Sequence, residues 1–438
     1  MLETLKRNYQ LTIILFVWLL VGVYINVKPY PTTILIPLTV LLFKAKNRYK
    51  EIFFGFLFML AMSDSWSYSM FWTKDARNIY MLMLGVFYFF DRKNFNYPNK
   101  IFLLFVPFLI WTCITNFRND DMANAFQKTM SYTLMLIIIP AYFQKLIIEE
   151  GASFLRDLVF FVAWLLLAGL ILIPFNYDLV YLVERYRGVL GNPNGIGTFS
   201  FVFTTFFYIL TQKFPHLFSK QEKLFVYALI TVSLLMCESR NGLMSILLFL
   251  FFIRFYKISA FAGFAVFVIT LVSFQLVSQN LTEIIKALGL SDVLRADSIE
   301  SGSGRLVAWQ FAWIEIQKNF FIGLGFDYDS QYFVRNAKML SWLGHNGGIH
   351  NVFLGLWMCF GLIGVILFYQ ALLRLFFRLA NRSFIAIPLL YALLFSTSYE
   401  AWLMGSLNPF TVYLIMSLVL LDYDHQFSTS KKSLVSVQ

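Results

Sequence analysis

Residues 343–370 read LGHNGGIHNVFLGLWMCFGLIGVILFYQ. A polar, glycine-rich turn carrying His345 and His350 gives way at Asn351 to apolar sequence that continues to Leu373. An uninterrupted apolar run of this length spans a bilayer as a helix, because a helix satisfies all of its own backbone hydrogen bonds in lipid. His350 therefore stands at the mouth of a membrane span.

Working outward, the same alternation recurs along all 438 residues: 59% are hydrophobic, only 13% are charged, and the mean hydropathy is +0.68. A soluble domain carries roughly twice that share of charge. The apolar runs are too long and too uniform for the alternating strands of a membrane barrel. The expected fold is all-α and polytopic, with about 12 to 14 transmembrane helices.

The net charge of +11 is distributed over short loops, not gathered into a nucleic-acid-binding patch. Lys6 and Arg7, the cluster Lys44, Lys46, Arg48 and Lys50, then Arg92 and Lys93, Lys145 and Arg156, Lys213 and Lys220, Arg254 and Lys257, Arg374 and Arg378, and Lys431 and Lys432 recur after every second span. By the positive-inside rule these loops and both termini are cytoplasmic. The expected organisation is N-terminal spans over 1–277, an external loop over 278–350, C-terminal spans over 351–422 and a cytoplasmic tail over 423–438. Cys113, Cys237 and Cys359 lie in or at the ends of apolar runs without metal-ligand spacing, which predicts packing residues, and neither a metal nor a cofactor is expected.

Four arginines fall on the outer side against the rule: Arg185, Arg187, Arg240 and Arg305. The segment RYRGVLGNPNG, 185–195, has turn chemistry that feeds into a span, so its amides are expected to face an anion beside a helix N-terminus. In ESRNG, 238–242, Arg240 lies at the membrane surface and needs an anionic partner, either Glu238 or a bound phosphate. From Ser301, SGSGRLVAWQFAWIEIQK predicts a helix capped by Ser303, with Leu306, Trp309, Trp313 and Ile316 forming an apolar face that lies on the outer membrane surface. Gly323 and Gly325 then predict a tight turn.

His345 and His350 are the only histidines on the expected outer side, and His350, opening a helix, is the candidate general base. Arginines, amides and a base together suit the transfer of a sugar from a lipid diphosphate to a hydroxyl. A non-enzymatic flippase of lipid-linked glycans is expected instead to carry its charges along a cavity within its spans.

His350-Asn351, nine residues, then Gly361-Leu-Ile-Gly364-Val365 resembles the most specific pattern of the O-antigen ligase and O-antigen polymerase superfamily. RGVLGNPNG, ESRNG, and Arg305-x-x-x-Trp309 followed by Gly323-x-Gly325 are similar to its other marks, in the same order. A proline usual before Gly-x-Gly is replaced here by Asn319-Phe320-Phe321. The resemblance implies a GT-C-like, metal-independent, inverting glycosyltransferase of the bacterial inner membrane with its active site facing the periplasm. It implies an undecaprenyl-diphosphate-linked glycan as donor and lipid A-core as acceptor, or a second lipid-linked unit for a polymerase. Carried over by motif, His350 is the base and Arg187 and Arg240 hold the diphosphate. Arg305, Asn194, His345 and Asn351 support substrate binding.

Overall fold

The computed structural model describes residues 8–25, 31–65, 67–95, 99–255, 260–279 and 304–423. Ser301, Ser303, Lys6, Arg7, His425 and the lysines of the tail lie outside these residues. The described chain is almost wholly helical. Its helices are α1 (Tyr9–Tyr24), α2 (Thr32–Ala45), α3 (Tyr49–Ser63), α4 (Trp72–Phe90), α5 (Lys100–Asn116), α6 (Met122–Glu150), α7 (Ala152–Ile171), α8 (Pro193–Lys213), α9 (Lys220–Cys237), α10 (Arg240–Phe255), α11 (Ala260–Gln279), α12 (Gly304–Lys318), α13 (Tyr328–Arg335), α14 (Ala337–Trp342), α15 (Val352–Ala380), α16 (Ala386–Tyr399) and α17 (Pro409–Asp422).

Among the described residues, α6, α7, α8 and α15 are long and apolar enough to cross a membrane unaided, and six shorter apolar helices accompany them. The chain is an all-α, multi-pass membrane protein. Helix α6 runs unbroken for 29 residues through Pro140.

Two compact units divide the chain. The first comprises the described residues of Met1–Phe102, Ser131–Ile246 and Ser406–Gln438. In it, α8 packs on α9 and α17, and α3 packs on α4. Phe199, Phe203 and Phe206 present their rings to Tyr413 at 5.5, 6.2 and 5.8 Å between centroids. The basic cluster before α3 is partly internal to this unit. Lys50 is buried and pairs with Asp157 at 2.6 Å, and Lys44 pairs with Asp91.

The second unit comprises the described residues of Leu103–Met130 and Leu247–Gly405. It is built around α15, against which α12, α13 and α16 pack. The helix is broken at Gly361, where φ is 66° and ψ is −178°. A break frees backbone groups that lipid cannot satisfy. The segment Phe320–Gly325 supplies their partners. Leu324 and Gly325 donate to the carbonyls of Met358 and Cys359 at 3.2 and 2.7 Å, and Leu362 donates to that of Phe320 at 2.9 Å. The Trp111 indole covers the Phe360 carbonyl at 2.8 Å, and the Trp357 indole that of Phe320 at 2.9 Å.

The glycines make this contact possible. A Cβ on Gly361 would meet the Phe321 carbonyl oxygen at 2.2 Å, and one on Gly323 the Cys359 carbonyl carbon at 2.3 Å. Gly323 is thus needed for close approach to α15, while Gly325 (φ 87°) supplies the turn expected of it. The apolar sequence continues across Gly361 without a polar residue, so hydropathy alone gives no sign of the break.

Candidate active site

In the second unit, four elements converge on His350. Helix α12 contributes Arg305 and Trp309, which four-residue spacing places on one face. The Trp309 indole donates to the carbonyl of Ile349 at 3.1 Å, holding the residue before His350. Asn351 holds the residue after it. Its side-chain oxygen caps α15 by accepting from the Leu354 amide at 3.0 Å, and its side-chain nitrogen donates to the Ser398 carbonyl at 3.0 Å. His350 itself has φ 47°, a left-handed conformation uncommon outside glycine. These two ties hold it there.

The His350 imidazole is 30% exposed, and its Nδ1 lies 3.1 Å from Oε2 of Glu400. The other oxygen of Glu400, Oε1, accepts from Arg305 at 3.0 Å. A carboxylate accepts only, so the proton between Nδ1 and Glu400 belongs to Nδ1. In the neutral ring the lone pair is then on Nε2. A Cβ on Gly347 would stand 3.0 Å from this Nε2, so a side chain at that position would crowd the nitrogen.

His345 has a different environment. It is 5% exposed, its Nε2 donates to the Gly348 carbonyl at 3.1 Å, and its ring lies edge-on to Phe333. Burial pushes its imidazole below the usual pKa, against the partial support of the Gly348 and Gly347 carbonyls.

Of the apolar face expected on α12, Leu306 and Trp313 are exposed, whereas Ile316 is buried together with Ala308 and Ala312. The inward face is the one carrying Arg305 and Trp309.

In the first unit, RYRGVLGNPNG forms β2 (Arg185–Tyr186), paired antiparallel with β1 (Tyr181–Leu182), and then the cap of α8. Val183 and Glu184 between the strands both have positive φ, as a two-residue hairpin turn demands. Asn192 caps α8 through the Gly195 amide at 2.7 Å, with Pro193 in the first turn. The Gly191 amide donates to Asp64 at 3.0 Å. Two of the segment's amides, those of Gly191 and Gly195, are therefore bonded to the protein's own oxygens.

Arg187 is 8% exposed and donates to three backbone carbonyls, those of Asp178, Leu179 and Gly191, at 2.8, 3.1 and 3.3 Å. Burial lowers its pKa. Arg185 crosses to the C-terminus of α9, donating to the Cys237 carbonyl at 2.8 Å and to Asn194 at 3.1 Å. A cation there complements the helix dipole. ESRNG packs against the start of α8 through glycines, since a Cβ on Gly242 would meet the Gly197 carbonyl oxygen at 2.5 Å. Arg240 opens α10 and is exposed.

The structure thus joins Arg305, His345, His350 and Asn351 in one unit, and Arg187, Asn194 and Arg240 lie in the other. Among the described residues no group of three His, Cys, Asp or Glu side chains could hold a metal ion. The three cysteines are free, and Cys359 donates to Asp329 at 3.4 Å.

The span that runs from α9 through the His350 turn into α15 is the part that decides the family. Residues 225–369 match the family model described as O-antigen ligase. This match supports the O-antigen ligase and polymerase superfamily over about a third of the chain. The matched domain contains Arg240, Arg305, His345, His350, Asn351 and the break at Gly361, whereas Arg187 precedes it and Glu400 follows it. No curated protein matches the chain.

Glu400 was missed by sequence reasoning. Its one signal was weak: a lone carboxylate in SYEAW, a short loop between two apolar runs on the expected outer side.

Proposed function

We propose that the protein is an O-antigen ligase that transfers a glycan from undecaprenyl diphosphate to lipid A-core oligosaccharide. The site faces the periplasm in the bacterial inner membrane. The observation that carries this reading is the geometry of His350: Nδ1 on a carboxylate at 3.1 Å, in a side chain that is 30% exposed. An imidazole held in this way can take a proton from an acceptor hydroxyl.

In the proposed reaction the acceptor hydroxyl gives its proton to Nε2 of His350, and its oxygen attacks the anomeric carbon from the face opposite the diphosphate. The bond from that carbon to the diphosphate oxygen breaks, and its electron pair leaves with undecaprenyl diphosphate. The configuration inverts. The leaving group is stabilised by cations, with no metal required. Arg240 has the exposure for that role, and Arg187 supports it by ordering the segment that leads into α8. Asn351 fixes the backbone at the base.

The same donor chemistry serves a polymerase, in which the acceptor is a second lipid-linked unit. The test uses purified full-length protein with a polyprenyl-diphosphate-linked glycan, no added divalent metal, and either lipid A-core or a second donor molecule as acceptor. Product on lipid A-core supports the ligase, and elongated lipid-linked glycan alone supports the polymerase. His350→Ala is expected to lower transfer by about 10²- to 10⁴-fold, the usual contribution of a general base. Full transfer by His350→Ala, or a wild-type reaction lost to a chelator, overturns the mechanism. Absence of any lipid diphosphate release would favour a flippase.

A further inference from the structure

We propose that Glu400 is a positioning residue for transfer and that Arg305 acts through it, holding the carboxylate and not the substrate diphosphate. The inference rests on the reading of His350 as the base.

Both oxygens of Glu400 are committed, Oε1 to Arg305 at 3.0 Å and Oε2 to His350 at 3.1 Å, and its side chain is 13% exposed. The residue is fixed at the end of α16, with its backbone amide on the Ser396 carbonyl at 3.1 Å. Two residues earlier, the Ser398 carbonyl receives Asn351. One short segment therefore locates both the imidazole and the backbone that carries it.

Neutral imidazole exchanges freely between two tautomers, and only the one protonated at Nδ1 has its lone pair on Nε2. Glu400 selects that tautomer, since it has no proton to donate to Nδ1. When Nε2 takes the acceptor's proton, the ring becomes a cation, and Glu400 is the counter-charge already in contact with it. Arg305 keeps the carboxylate in place. Its position in the first turn of α12, where the helix dipole disfavours a cation, is offset by this carboxylate.

A purely architectural Glu400 would tie α16 to α12 and nothing more, so the test must read the chemical step. Glu400→Gln, Glu400→Asp, His350→Ala and the double variant Glu400→Gln/His350→Ala are compared as purified full-length proteins. The assay measures release of polyprenyl diphosphate from its glycan conjugate in the presence of acceptor, normalised to folded protein. Glu400→Gln is expected to lower kcat by about 10²- to 10⁴-fold with KM for the donor unchanged. Glu400→Asp, which keeps the charge, is expected to recover part of the loss. The double variant is expected to be no slower than His350→Ala alone, because a residue that acts only through His350 has nothing left to act on.

A Glu400→Gln protein with wild-type kcat beside an inactive His350→Ala overturns this proposal and leaves the base assignment standing. So do losses that multiply in the double variant. His350→Ala with full activity overturns the underlying reading itself. Should Glu400→Gln fail to accumulate, Glu400→Asp carries the test: a lower kcat at unchanged KM supports positioning, and unchanged kcat overturns it.

Discussion

Nδ1 of His350 lies 3.1 Å from a carboxylate oxygen of Glu400, fifty residues further along the chain. The imidazole comes from a glycine-rich turn and the carboxylate from the end of another helix. The bond between them fixes the orientation of an imidazole at a helix mouth, which on the proposed reading is the base. Arg305 is bonded to the same carboxylate, whereas Arg240 is exposed at a helix start.

Arg187 and Arg240 are expected to fail in different ways. Removing Arg187 leaves the carbonyls of Asp178, Leu179 and Gly191 without their donor. A buried polar group left unpaired costs about 1–3 kcal/mol, so Arg187→Ala should lower the melting temperature in detergent by many degrees. Arg187→Lys should recover little, because an ammonium lacks the planar fork that reaches several carbonyls. Arg240→Ala should cost less stability, since this side chain is exposed where Arg187 is buried, and yet lose transfer. Equal melting temperatures for both alanine variants would refute this division.

Gly361 and Gly323 should tolerate no side chain. Alanine at Gly361 combines a positive φ with a clash against the Phe321 carbonyl, and strain and overpacking each cost about 1–3 kcal/mol. Gly361→Ala and Gly323→Ala are expected to yield little monodisperse protein on size exclusion. Gly348→Ala, where a Cβ would meet nothing within 4 Å, is the control and should behave as wild type. Normal yields of Gly361→Ala would mean that the break in α15 is not required.

The buried His345 predicts a pH dependence of stability. Its folded pKa is lowered by burial, so the unfolded chain takes up a proton more readily than the folded one. The stability it contributes is complete above the ordinary histidine pKa of about 6.5 and is lost progressively as pH falls below that value. His345→Gln, whose amide can still donate to the Gly348 carbonyl without titrating, should show a smaller fall in melting temperature between neutral pH and pH of about 5.5. Identical pH profiles for the two proteins would remove His345 as the cause.

Much of this molecule was determined by one-dimensional pattern. Apolar length specified the helical membrane fold, because lipid leaves the backbone few other ways to satisfy its hydrogen bonds. Asn192 with Pro193, and Asn351 before its apolar run, marked two helix starts, since capping is a contact between residues three apart. The His350 turn and the Gly-x-x-Gly that follows it were legible for the same local reason.

What tertiary structure decided lies at long range. The carboxylate on His350 comes from fifty residues away, and no local pattern encodes that distance. Three carbonyls engage Arg187, but every residue type has a carbonyl, so that commitment leaves no trace in composition. Which residues of α12 turn inward was likewise decided in three dimensions, since Ala308 and Ala312 are buried and hydropathy gives alanine little weight. The break at Gly361 was hidden because its partners, the backbone of Phe320–Gly325, are supplied by another part of the chain, and an apolar helix reads alike whether it is continuous or broken.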